Sequence, residues 1–119
     1  MRTVLWAAWV ITAFTATHIP PPEHTVPPLI SDKLLHFAGF TTLGLLTIWR
    51  ISAGGVQIRS KVAWLWYLGL VAYGLFDETT QPLVRRSFQW GDWIADCGGA
   101  AAGVAIALLC HRWTLNKEG

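Results

Sequence analysis

The chain has 119 residues, the length of a single domain, of which 53% are hydrophobic and only 13% charged. So few charges cannot cover so much apolar surface in water, which excludes an ordinary soluble globule and makes the bilayer the better solvent. The net charge of +2 comes with no basic stripe interleaved with aromatics, which excludes nucleic acid as a partner.

In chain order, the first apolar segment runs from about residue 3 to 19 and is stopped by Pro20-Pro21-Pro22. A competing expectation is a cleaved signal peptide over residues 1–17 with Arg2 as its charged region, although Thr15-Ala16-Thr17 fits the small-x-small cleavage pattern poorly. The second segment covers 34–51, with Ser31 as its N-cap, Asp32 at the positive end of the helix dipole, and Gly54-Gly55 turning the chain after it. The third covers 62–76 and precedes Pro82; the fourth covers 93–110. Each is slightly shorter than the roughly 20 residues of a full crossing. Trp6, Trp49, Trp64, Trp66, Trp93 and Trp113 extend the ends as interfacial rings, and the tryptophans and phenylalanines as a class read as lipid-facing or interfacial filler. The pattern predicts an all-α polytopic membrane protein: one domain over 1–119, built as a bundle of four transmembrane helices. Cys97 and Cys110 fall on one helix about 20 Å apart along its axis, too far to bridge, and no CxxC or zinc-type spacing occurs.

The basic residues sort by loop. Arg2, Arg50, Arg59, Lys61, Arg112 and Lys117 fall at the termini and in the second loop, whereas Lys33, Arg85 and Arg86 fall in the first and third. By the positive-inside rule both termini are expected in the cytoplasm of a plasma-membrane protein, with Glu23 and Gln89 external and Val56 cytoplasmic. All the carboxylates except Glu118 then lie at the external end.

Five of the seven carboxylates sit in two stretches, Ser31-Asp32-Lys33-Leu34-Leu35-His36-Phe37 and Asp77-Glu78-Thr79-Thr80-Gln81, the latter followed by Arg85-Arg86, Asp92 and Asp96. Ionisable groups at membrane depth are costly and mark function by default. Asp32 and His36 are four residues apart and share a helix face; Tyr73, Asp77 and Gln81 form a second stripe; Asp92 and Asp96 form a third. Gly74, Gly98, Gly99 and Gly103 let helix backbones approach closely, so the three stripes are expected to meet at one depth. The expected binding residues are Asp32, Lys33, His36, Asp77, Glu78, Gln81, Arg86, Asp92 and Asp96. Duller roles exist for several: Lys33 as a snorkelling residue, Arg85 and Arg86 as lipid-phosphate anchors, His36 as a packing residue. Five carboxylates against Lys33, Arg85 and Arg86 leave the cluster net negative, so it is no simple anion trap. It fits a divalent metal held against a pyrophosphate, a proton relay, or a structural ion-pair network. Catalytic residues, metal ligands and cofactors are not fixed by these residues.

The ordered set Asp32-Lys33-Leu34-Leu35-His36-Phe37, Asp77-Glu78-Thr79-Thr80-Gln81, Arg86 and Asp92-Trp93-Ile94-Ala95-Asp96, ahead of a glycine-rich helix, resembles the VanZ-like family over residues 31–103. Asp96 stands where that family often has asparagine, and Arg85 where a glycine commonly precedes the arginine. The resemblance implies a cell-envelope membrane protein associated with low-level resistance to glycopeptides of the teicoplanin type. The expected partners are membrane lipid and a lipid-linked cell-wall precursor or glycopeptide, bound at the external polar cluster. An enzyme acting on a lipid-linked phosphate and a structural assembly subunit are the two alternatives.

Overall fold

The computed structural model describes residues 1–20 and 32–118. Four helices follow in order, α1 (Arg2–Thr17), α2 (Asp32–Ile51), α3 (Ser60–Thr80) and α4 (Trp90–Glu118), with a single 3-10 turn, Gln81–Val84, between the last two. No strand occurs among the described residues, so each apolar segment is a helix and the all-α class holds. The Ser31 cap, Pro21-Pro22 and Glu23 lie outside the described residues. Helix ends and apolar ends do not coincide. α2 takes in Asp32-Lys33, α3 takes in Asp77–Thr80, and α4 starts three residues early and continues to Glu118. Backbone hydrogen bonding continues where hydropathy stops, which brings the polar stretches onto helices instead of loops. Gly54 and Gly55 turn the chain with φ of 86° and 72°, backbone that glycine adopts freely.

Two of the helices, α2 and α4, are long and apolar enough to cross a membrane. α1 has only 16 residues. α3 has 21 residues, but Trp64, Trp66, Tyr67, Tyr73, Asp77 and Glu78 lower its hydropathy. The helices alternate in direction. Arg2 at the start of α1 donates to the Trp49 carbonyl at the end of α2 (2.8 Å), while Thr17 at the end of α1 reaches Asp77 at the end of α3. The particle is accordingly elongated, 57 × 26 × 25 Å.

The tightest seam is α2 against α4, and it is built from glycine. A Cβ on Gly99 would overlap the Phe37 carbonyl, one on Gly103 would overlap the Thr41 carbonyl, and one on Gly44 would stand 2.8 Å from the Ala100 oxygen. Gly99 and Gly103 form a small-xxx-small face, so the two backbones approach closer than side chains allow. Phe40, Leu43, Ile48, Leu70, Ala100 and Val104 fill the core beside this crossing.

The tryptophans depart from their expected role. Trp6 Nε1 donates to Thr47 Oγ1 (2.9 Å), Trp9 Nε1 to the Gly39 carbonyl (3.1 Å) and Trp93 Nε1 to the Val71 carbonyl (3.2 Å), all between helices. A part-buried indole N–H takes an acceptor that a neighbouring helix offers. Trp64, Trp90 and Trp113 do remain mostly exposed.

Candidate functional site

Antiparallel alternation gathers the C-terminal ends of α1 and α3 and the N-terminal ends of α2 and α4 at one end of the bundle. Every polar stretch singled out from the sequence lies on one of those ends. His36, Asp77, Glu78, Gln81, Asp92 and Asp96 are all buried there, with 0–4% exposure. Gly74 makes room for one of them: a Cβ there would stand 3.2 Å from the Asp96 Cβ.

The inner part of the site centres on His36. Its Nδ1 lies 2.9 Å from Asp96 Oδ1. Against an ionised Asp96, Nδ1 is the donor. The ring's other nitrogen, Nε2, faces Glu78 Oε1 at 3.8 Å, beyond hydrogen-bonding distance. Both Nε2 and Asp96 Oδ2 are buried without a hydrogen-bond partner among the described residues. Glu78 is otherwise saturated: Gln81 Nε2 donates to Oε1 (2.9 Å) and the Gln89 backbone N–H to Oε2 (3.1 Å). Asp77 accepts from Thr17 Oγ1 (2.8 Å) and, more weakly, from Gln81 Nε2 (3.4 Å). His18 completes this part, with Nε2 2.9 Å from Thr80 Oγ1 and Nδ1 3.7 Å from Asp77 Oδ1.

The outer part holds the cations. Lys33 Nζ donates to Asp92 Oδ1 at 3.0 Å, and Arg86 donates from one guanidinium nitrogen to Asp32 Oδ2 at 3.0 Å. The Asp32 and Arg86 side chains are 42% and 20% exposed. The preceding turn delivers the arginine: Arg85 adopts φ 62°, and the Arg86 N–H caps the Gln81 carbonyl at 3.3 Å. Left-handed backbone costs a non-glycine residue about 1–2 kcal/mol, so Arg85 holds this turn at some local strain. Asp32, His36 and Arg86 also line the polar end of a groove between α1 and α2, about 400 Å³ in volume, whose walls include Trp9, Ala13, Leu35 and Ala38.

The structure thus brings the nine expected residues together at one end but divides them into two layers. Arg86 joins the inner layer only through Asp32, and Lys33 pairs with Asp92 instead of snorkelling freely. Tyr73, placed by spacing on the Asp77 stripe, turns to α1 as Asp77 does and donates its hydroxyl to the Val10 carbonyl at 3.2 Å. Sequence reasoning missed Thr17, His18 and Thr80. The available signal was two polar residues, Thr17-His18, closing an apolar segment at the same end as the acidic stretches. The Gln89 backbone N–H carries no side-chain signal at all. Among the described residues two groups of three could hold a cation, Asp32–His36–Asp92 and His36–Asp77–Glu78, each with its ligand atoms within 4.8 Å of one another.

Membrane-length apolar helices and a buried carboxylate–histidine centre at one end define a helical membrane protein with a polar site. The chain belongs to the VanZ/LLP1 family, whose model matches residues 3–111 and so takes in α1 as well as the motifs of the other three helices. No curated protein and no solved structure matches it.

Proposed function

We propose that the protein is a four-span membrane protein of the cell envelope, both termini cytoplasmic, that binds the phosphate-bearing head of a lipid-linked envelope component at its external end. The observation carrying this reading is the Arg86 guanidinium at the polar end of the α1–α2 groove. Apolar walls with an arginine and a histidine at one end suit an amphiphile with an anionic head. A guanidinium offers phosphate a planar, two-pronged donor set, and Arg86 uses only one nitrogen on Asp32. A half-exposed ion pair contributes only about 0–1 kcal/mol, so an incoming phosphate can displace it at small cost. The alternating distribution of basic residues supports the orientation, and α1, tied to α2 and α3 by Trp6, Trp9 and Thr17, acts as the fourth helix. In this reading, resistance to glycopeptides of the teicoplanin type arises from capture of a wall precursor.

A second reading, an enzyme acting on the lipid-linked phosphate, is favoured by one observation: the unpartnered His36 Nε2 and Glu78 lie immediately behind the groove's polar end. The test of binding is the affinity of the purified protein, in lipid nanodiscs, for a polyprenyl phosphate against the matching polyprenol. The phosphate should bind at least about tenfold tighter, the worth of one charge-assisted contact. Equal affinity for phosphate and alcohol would refute it.

A further inference from the structure

Three buried carboxylates, Asp77, Glu78 and Asp96, meet at the inner layer, and none has a lysine or arginine within ion-pair distance among the described residues. Lys33 and Arg86, the cations that form ion pairs at this end among the described residues, are engaged by Asp92 and Asp32. Negative charge is therefore concentrated where water is excluded, and a buried anion needs a counter-charge.

His36 supplies the second, independent observation. With Nδ1 engaged by Asp96, Nε2 stands 3.8 Å from Glu78 Oε1 and has no hydrogen-bond partner among the described residues. A buried imidazole nitrogen and a buried carboxylate oxygen face each other there, and a cation placed between them would partner both. The separation is too long for a hydrogen bond. It is close to the spacing of two ligands that each bond the same metal ion at about 2.1 Å. Asp77 offers a third oxygen within 4.8 Å of both. The Asp96–His36 contact also has a recognised place in such a site: a ligating histidine almost always donates its other ring N–H to a carboxylate or carbonyl, which fixes the tautomer.

We infer that His36 Nε2, Glu78 and Asp77 form a three-ligand site for a divalent transition-metal ion of the zinc class. One imidazole nitrogen with two carboxylate oxygens suits zinc better than calcium or magnesium, which take all-oxygen sets. Three protein ligands leave a coordination position for an external group. The competing trio Asp32–His36–Asp92 is the poorer candidate, because Arg86 and Lys33 already neutralise its carboxylates. Asp96 is a positioning residue that holds the ring, and Gln81, donating to both Glu78 and Asp77, orients the two carboxylates. The inference does not depend on headgroup binding.

The full-length protein, purified in detergent, is stripped with chelator, reloaded with zinc and assayed for bound metal, zinc affinity and the zinc-induced rise in thermal midpoint. One equivalent should bind, and the midpoint should rise. Asp77→Asn and Glu78→Gln should each weaken zinc by about 100-fold or more and abolish the rise. Asp96→Asn, which keeps an acceptor for His36 Nδ1, should weaken it by about 10- to 100-fold. Lys117→Ala, at the opposite end, should bind as the parent does. Midpoints measured in chelator identify any variant that fails to fold, and Asp77→Asn is the safest of the set because the Thr17 hydroxyl can accept as well as donate. Cobalt(II) in place of zinc should give a visible absorption band that His36→Gln removes. No stoichiometric zinc in the parent, or zinc binding undiminished in both carboxylate variants, would overturn the site. The first result would leave a doubly protonated His36 bridging Asp96 and Glu78. Polyprenyl phosphate binding by the stripped protein, measured in parallel, separates failure of the metal site from failure of the headgroup reading.

Discussion

Replacing Gly103 by alanine should pull apart the two helices that build the inner site. A Cβ at 103 overlaps the Thr41 carbonyl oxygen and stands 2.9 Å from its carbon and 3.0 Å from the Leu45 nitrogen. All three obstacles are backbone atoms of α2, which cannot rotate aside as a side chain would. Relief requires the helices to separate by about 1 Å, enough to forfeit a sizeable part of each van der Waals contact along the seam. Overpacking costs about 1–3 kcal/mol, and an obstructing backbone places this case at the upper end. α2 carries His36 and α4 carries Asp96, so the same movement stretches their 2.9 Å hydrogen bond. Gly39→Ala supplies the control, since a Cβ there meets nothing within 4 Å. That change should be neutral or stabilise α2 by up to about 1 kcal/mol through helix propensity. Reversible unfolding in mixed detergent micelles gives both values. A Gly103→Ala protein as stable as the parent, or a Gly39→Ala protein as damaged as Gly103→Ala, would refute the close-packed seam.

Thr47→Val keeps the shape of a fully buried residue but removes the acceptor for Trp6 Nε1; unfolding should show a loss of about 1 kcal/mol, and Thr47→Ser should restore it. Arg85→Gly relieves a left-handed backbone; the thermal midpoint should hold or rise, by up to about 1 kcal/mol of stability, and a clear drop would contradict the strain. Single cysteines at 89 and 56, introduced with Cys97→Ser and Cys110→Ser, should be labelled by an impermeant reagent at 89 only in intact cells; label at 56 alone would invert the topology.

The four helices and the gathering of charge were legible in the sequence because each depends on local pattern. Apolar runs marked the helices, and four-residue spacing put Asp32 with His36 and Asp92 with Asp96 on shared faces. The glycines Gly99 and Gly103 announced close packing. What the sequence did not reveal depends on how each helix is rotated about its axis. Spacing put Tyr73 with Asp77, and both do turn to α1, but that α1 is the helix this stripe meets was not written in the spacing. The pairing of Lys33 with Asp92 and Arg86 with Asp32, against an inner layer without a cation, is set by helix crossing geometry, not by order along the chain. The apolar end of α1 concealed Thr17 and His18, whose roles appear only once α1 stands beside α3.

The claim that the polar end is a ligand site, and not a lock that merely holds helices together, is tested most directly at Arg86. Its side chain's one partner among the described residues, Asp32, is 42% exposed, so Arg86→Ala should cost the fold no more than about 1 kcal/mol. The measurement is affinity for polyprenyl phosphate beside thermal midpoint, on the same preparations of parent, Arg86→Ala and Arg86→Lys. The account expects Arg86→Ala to bind at least about tenfold more weakly at an unchanged midpoint, with Arg86→Lys intermediate because a point charge replaces a planar fork. Unchanged affinity in Arg86→Ala, or affinity and stability lost together, would contradict it.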